Sequence, residues 1–355
     1  MIQLTQILYR WWGWSMMIGE KLRTLYQART WFGAVLFLVL GAVLALVLQQ
    51  VLLQGLKHYG EGNIGIMNRV MRGHIDADIL ISGSSRAMFH YDPRIIEVET
   101  KLKSFNIGRN GTKLHEQLEL LQLYLRRNKP PAYLIQNLDM SSFEKNDDVT
   151  DPKQYIPWLN HEEIYGPLYQ RKPYYFLYRW CPLLAMVRTG GTQAAVLGLL
   201  KPSTSQTDEF KGYAPQYFMW NKDFERFKAQ NPAGVRWTPD PQKIQTLADL
   251  LEICRKNGIK VILVHSPEYL ETQGFFQNRN ETLQAFRKTA SRFQVPFWDY
   301  SDNPMCGNRA YFYNSQHLNH AGASVFSKSI AQRLGIEITN KRTIARSSQI
   351  VILNH

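Results

Sequence analysis

The chain has 355 residues, 45% hydrophobic and 20% charged, a composition that suits a folded protein and excludes intrinsic disorder. Its formal charge is +13, from 42 Lys and Arg against 29 Asp and Glu, but the cations are scattered. With no basic run and no zinc-finger or RNA-binding signature, this reads as a solvated basic surface and excludes nucleic acid as a partner. The three cysteines, Cys181, Cys254 and Cys306, are widely spaced, show no metal-ligand pattern and cannot all pair, which argues against a disulfide framework.

The first predicted element is a membrane helix. Residues 31–48 hold no charged or strongly polar side chain, and Val51, Leu52 and Leu53 prolong the apolar stretch beyond Gln49 and Gln50. A run of about 20 residues at ~1.5 Å each spans the hydrocarbon core of a bilayer, so 31–53 is predicted to cross it. A cleaved signal peptide fits less well, because 30 residues precede the run and no small-residue cleavage site follows. Those 30 residues carry Arg10, Lys21, Arg23 and Arg29 beside Trp11, Trp12 and Trp14, the pattern of an amphipathic segment at the cytoplasmic interface. Lys57, Arg69 and Arg72 follow the span, so charge alone sets its orientation only weakly. Residues 54–75 are read as a linker.

Beyond them, short apolar runs alternate with helix-length segments. Strands are predicted at 77–82, 103–107, 132–138, 260–265 and 295–298. Helices are predicted at 113–127, with leucines at 114, 118, 121 and 125, and at 243–256, 281–293 and 321–334. This alternation predicts an α/β domain with a parallel sheet covered on both faces and ligands at the carboxyl ends of its strands. The stretch 145–242 breaks the rhythm. Rich in Tyr and Trp, and carrying a Pro-Ser-Thr-Ser-Gln-Thr run at 202–207, it reads as a mostly helical insertion. Its aromatics either fill the insertion's own core or form a sugar- or acyl-binding platform. The tail 336–355 carries no interpretable signal.

Three blocks carry candidate chemistry. Gly83-Ser84-Ser85 closes the first strand, where a tight turn exposes a serine; alone it is a common loop, and Ser85 could simply cap a helix. Asn106-Ile107-Gly108-Arg109-Asn110-Gly111 follows the second strand, and its glycines allow backbone N–H groups to face an oxyanion or merely make a turn. Near the end, Asn314-Ser315-Gln316-His317-Leu318-Asn319-His320-Ala321-Gly322-Ala323 places His317 just before the last helix. His317 and His320 without a third ligand do not make a catalytic zinc site. No cofactor or metal is predicted.

In this order the three blocks resemble those of the SGNH/GDSL-like hydrolase superfamily, over about residues 76–335. Ser85 falls at the nucleophile position, with Gly-Ser-Ser in place of the usual Gly-Asp-Ser. Asn106-x-Gly108-x-x-Gly111 matches the second block, and His317-Leu-Asn-x-x-Gly-Ala323 the last. The resemblance implies a three-layer, flavodoxin-like domain with Ser85 as nucleophile, His317 as base and Gly111 in the oxyanion hole. Two departures stand out. Asn314 occupies the position of the usual aspartate three residues before the histidine, with Asp299 and Asp302 nearby as alternatives. The third-block asparagine is out of register, with Asn137 and Ser141 both close; Asn137 is taken for the oxyanion hole. One span followed by such a domain is similar to membrane-anchored envelope members, among them the D-alanyl-transfer protein of teichoic acids and the alginate O-acetyltransferases. That likeness implies an inner-membrane, single-pass protein with an extracytoplasmic catalytic domain. Its substrate would be a glycan or acylated carbohydrate, its partners membrane lipid and a membrane acyl-donor protein. Acyl transfer and ester hydrolysis are both open, and a non-catalytic binding or assembly role is the alternative.

Overall fold

The computed structural model of the chain describes residues 2–200 and 206–353 and divides into two compact units, Met1–Leu53 and Gln54–His355. The first unit is entirely helical. Helix α1 runs from Ile2 to His58, so the predicted interfacial segment 1–30 and span 31–53 share one helix, which contains no proline to end it. Within it, Arg29–His58 is long and apolar enough to cross a membrane. At ~1.5 Å per residue these 30 residues reach about 45 Å, more than the ~30 Å hydrocarbon core. Phe37 and Leu44 are 76% and 69% exposed in the protein alone.

The second unit begins in the last turn of α1. Residues 54–75, expected as a linker, instead carry helix α2 (Gly62–Arg72), which buries Ile64, Ile66, Met67 and Val70. Gly73 ends it at φ +73°, the left-handed turn that glycine adopts without penalty.

Five strands follow: β1 (Ile79–Ser82), β2 (Ser104–Asn106), β3 (Tyr133–Asn137), β4 (Lys260–His265) and β5 (Phe297–Asp299). All pair in parallel, in the order β2-β1-β3-β4-β5. The expected three-layer α/β architecture is therefore present. The short helices α3 (Ser85–His90) and α4 (Pro93–Thr100) and the last helix, α15 (His320–Leu353), pack together. Alternate strand residues Ile79, Ile81, Ile135, Ile262, Val264 and Trp298 share one core with Phe326, Ile330 and Leu334 of α15, as side chains on one face of a pleated sheet must. Helices α5 (Leu114–Arg127), α12 (Pro241–Lys256) and α14 (Arg279–Phe293) form the other packed set, to which α2 adds through α5. Helix α15 runs past the predicted 334 and takes up most of the segment expected as a tail.

Between β3 and β4 lie α6 (Glu162–Arg171), α7 (Tyr175–Trp180), α8 (Pro182–Thr189), α9 (Gly191–Leu200), α10 (Gln206–Glu209) and α11 (Asp223–Gln230); α13 (Leu270–Phe275) follows β4. The insertion is mostly helical, as expected. Its aromatics divide: Tyr155, Tyr175 and Tyr178 are buried, whereas Phe176, Trp180 and Tyr217 are exposed. Residues 202–205 of the Pro-Ser-Thr-Ser run lie outside the described residues.

Candidate active site

In the order β2-β1-β3-β4-β5 the chain reverses direction across the sheet at β1, and such switch points leave a crevice at the strand ends. Ser85 stands there, half-buried, as the first residue of α3. The turn needs Gly83. Its φ is +150°, and a Cβ added there would lie 2.8 Å from Ala87 Cβ and 3.0 Å from Asn137 Cβ. Gly108 plays a related part, since a Cβ there would meet Ala87 Cβ and Met88 N at 2.7 Å. The loop after β2 can therefore lie directly on α3.

The loop before α15 brings His317 onto Ser85. His317 Nε2 is 2.8 Å from Ser85 Oγ, and His317 Nδ1 is 2.9 Å from Asn314 Oδ1. The same Oδ1 accepts the backbone N–H groups of Gln316 and His317 at 3.0 and 2.9 Å. Backbone N–H groups can only donate, so the Asn314 atom facing them is the carbonyl oxygen. It follows that His317 Nδ1 carries a proton and that the Nε2 lone pair faces the Ser85 hydroxyl. That is the tautomer a general base requires.

The ring of His317 is held on both sides. Tyr313 stacks on it at 5.3 Å and Phe89 meets it edge-on at 5.5 Å. His90, fully buried, braces the same loop: its Nε2 accepts the Leu318 N–H at 3.0 Å, so its Nδ1 is the donor to Ser266 Oγ at 2.9 Å. Burial, with the Arg86 guanidinium second, keeps His90 neutral and well below the usual imidazole range. Burial, then Arg86, also lowers His317 to about 3.

Arg86, next to Ser85, is itself buried and ties three strand ends together. It donates to Ser266 O beyond β4, and its guanidinium lies 3.3 Å from Glu268 Oε2 and 3.7 Å from Asp139 Oδ1 beyond β3. Glu268 also pairs with Arg279 and lies 3.5 Å from His265 Nε2. The interaction with His265, and after it the charges of Arg86 and Arg279, outweigh the burial penalty and hold the Glu268 carboxyl far below the usual carboxylate range. Asp139 in turn accepts from Ser84 Oγ and, at 2.9 Å, from Asn137 Nδ2.

The remaining expected site residues are placed differently. Asn137 is buried at the end of β3, its Oδ1 accepting from Tyr91 OH at 2.8 Å and its Nδ2 donating to Asp139. Gly111 lies exposed on the loop after β2, at φ +77°, its carbonyl accepting from Thr150 Oγ1 at 3.1 Å. Among the described residues no hydrogen bond joins either to Ser85 or His317. Asp299 is occupied by Ser301 and Arg287, and the partner of His317 Nδ1 is Asn314. His320 lies 3.3 Å from Tyr213 OH, while both nitrogens of His317 face Ser85 and Asn314. Ser84, Arg86, His90, Asp139 and Glu268 escaped the sequence reading. The only local hint was their position just beyond strand ends or against Ser85.

A cleft of about 390 Å³ opens beside α3, lined by neither Ser85 nor His317. Tyr59 lines it from between α1 and α2, Asn63 from α2, Met88 and Phe89 from α3, and Asn110 and Lys153 from the facing loops. Phe89, which touches the His317 ring, forms part of its wall.

No protein-family model matches the chain, and no curated protein matches it. Among solved structures it is similar to an inferred acylhydrolase from Bacteroides fragilis NCTC 9343, at 10% identity and TM-score 0.34, over 73% of this chain and 86% of that one. It is similar also to an inferred SGNH hydrolase from Slackia heliotrinireducens, at 12% identity and TM-score 0.37, over 72% and 96%. A third is a GDSL-like lipase from Bacteroides thetaiotaomicron VPI-5482, at 11% identity and TM-score 0.34, over 73% and 88%.

Proposed function

We propose that this protein is a serine-dependent acyltransferase or esterase, held in the cytoplasmic membrane by α1 with its α/β domain outside. It would act on acyl groups, such as acetyl, of an envelope polysaccharide or related glycan. The supporting observation is the relay from Ser85 Oγ to His317 Nε2 and from His317 Nδ1 to Asn314 Oδ1. In the reaction, Ser85 Oγ attacks the acyl carbonyl while His317 Nε2 takes its proton. The backbone N–H of Ser85, in the first turn of α3 and without a helical acceptor, would bind the oxyanion together with the Gly111 N–H. His317 then returns the proton to the departing oxygen, leaving an acyl-serine. Water or a sugar hydroxyl, deprotonated by His317, attacks that ester and frees Ser85. The cleft beside Phe89, with its mixture of aromatic and amide groups, suits a sugar ring. The assignment of a glycan substrate and of the outward orientation comes from the resemblance in the sequence.

A second reading, a non-catalytic binding or assembly role, is favoured by Asn314, which brings no negative charge to His317. Labelling with a fluorophosphonate separates the two. Labelling of the native chain but not of Ser85→Ala identifies an enzyme. Absence of labelling, with Ser85→Ala and His317→Ala both leaving the cellular phenotype intact, identifies the binding role.

A further inference from the structure

Helices α7–α9 of the insertion present an apolar face that nothing in the described chain covers. Phe176, Leu177, Trp180, Val187, Val196 and Leu200 are 45–73% exposed, Trp180 at 68% and Leu200 at 73%. Singly such residues are ordinary, but three consecutive short helices bearing them mark a contact surface. Helices α8 and α9 are together apolar enough for a membrane segment, yet they bend by 104° at their junction. There Gly190, at φ +73°, makes the turn. A pair folded back in this way does not cross a bilayer as one rod; it suits lying in one interface.

The charge pattern matches a lipid surface. From Ile164 to Thr207 the chain contains no Asp or Glu; Arg171, Lys172 and Arg179 pair with Glu119, Asp148 and Glu162 outside the stretch, and Arg188 stands on α8. Aromatic and aliphatic side chains beside a cation are what an interface with anionic headgroups selects. The location fits as well. A Cβ added at Gly55, in the last turn of α1, would strike Ala195 O of α9, and one added at Gly198 would strike Gly55 O. The two helices thus touch backbone to backbone. Gly55 follows Leu53, the last residue of the apolar run, by two positions in the chain.

We infer that α7–α9 form a second membrane contact, buried in the outer-leaflet interface of the bilayer that α1 crosses. This rests on the reading of α1 as a membrane span. One span alone leaves a domain free to turn about its anchor; two attachments fix which face of the α/β domain looks toward the lipid.

Cys181 gives a native probe, being exposed between α7 and α8 while Cys254 and Cys306 are buried. The full chain is reconstituted in nanodiscs of phosphatidylethanolamine with phosphatidylglycerol, and a nitroxide is attached to Cys181. In a Cys181→Ser background the label is placed instead at Val39→Cys in α1 or at Lys256→Cys on the exposed end of α12. Collision with oxygen reports lipid; collision with a water-soluble nickel chelate reports water. The Cys181 label is expected to give an oxygen-to-nickel ratio about tenfold above that of Lys256→Cys, as for a side chain in the acyl boundary. Introducing Trp180→Glu with Val187→Glu should return it to the aqueous value. An aqueous Cys181 beside a lipid-exposed Val39→Cys overturns the second contact and leaves the span standing. Aqueous signals at both overturn both readings. A Cys181 label shielded from oxygen and nickel alike shows a protein cover, and overturns the assignment to lipid.

Discussion

Replacing Asn314 by Asp tests the relay most directly. Asn314 Oδ1 sits 2.9 Å from His317 Nδ1 and fixes the tautomer, but it cannot offset the positive charge that appears on the ring when Ser85 is deprotonated. Burial and Arg86 have already lowered His317 to about 3. An Asp oxygen in the same place keeps the contacts to the Gln316 and His317 N–H groups. A carboxylate within ~4–6 Å raises the affinity of such a ring for its proton by about 1–3 pKa units, at ~1.4 kcal/mol per unit. The same interaction stabilises the imidazolium of the transition state, so Asn314→Asp should speed acylation by about 10- to 1,000-fold, within the ~10⁴ ceiling seen for the reverse change in a serine protease. The sign on the pH axis follows. The base must be neutral to act, so the native chain loses activity only as pH falls toward about 3, and the variant should lose it about 1–3 units higher. Rates of fluorophosphonate labelling and of short-chain ester turnover, measured from acid to neutral pH, read both effects. A slower variant with an unmoved acid limb would refute the role given to Asn314.

Ser85→Ala and His317→Ala should each abolish labelling or reduce ester turnover by at least about 1,000-fold while leaving the melting temperature nearly unchanged, since the residues of a triad act as one unit. Gly83→Ala should lower stability, because φ +150° and the contacts with Ala87 and Asn137 leave no room for a methyl group; strain of this kind costs about 1–3 kcal/mol, visible in urea unfolding. Glu268→Gln should cost about 3–5 kcal/mol, since it leaves Arg86 and Arg279 facing a neutral amide in the interior. The Glu268 carboxyl is held below its unfolded value, so its contribution is complete above pH about 4.5 and declines as pH falls further. The native chain should therefore lose stability on acidification in a way that the Gln variant does not.

The fold was legible because buried parallel strands write themselves as short apolar runs: 79–82, 133–137 and 260–265 stand out by hydropathy alone. Helix α2 was not, since its Gly, Asn and Arg residues dilute an apolar stripe only three turns long. The length of the last helix also passed unseen, because Gly335 directly after Leu334 reads as a stop signal, yet the helix runs through it. At the site, the meeting of Ser85 with His317 was legible because both sit in short, distinctive blocks, at a strand-end turn and before a helix. The supporting residues were not. Arg86, Asp139 and Glu268 meet only because β1, β3 and β4 are neighbours, and neighbourhood in a sheet is a property of topology that no local pattern records.

Asp139 bears directly on the turn that carries Ser85. Ser84, which precedes Ser85 there, brings a hydroxyl and no charge. In the folded chain a carboxylate nonetheless reaches that turn: Asp139 arrives from the end of β3, accepts from Ser84 Oγ and lies 3.7 Å from Arg86. Among the described residues no carboxylate does the same for His317. The side chain on its Nδ1 is the neutral Asn314, and the charge nearest in effect is the cation Arg86, which opposes protonation. The turn at Ser85 is thus buttressed while the imidazole beside it is held weak in proton affinity, which makes the response to Asn314→Asp, rather than the loss expected on removing Ser85, the measurement that distinguishes a tuned catalyst from a scaffold.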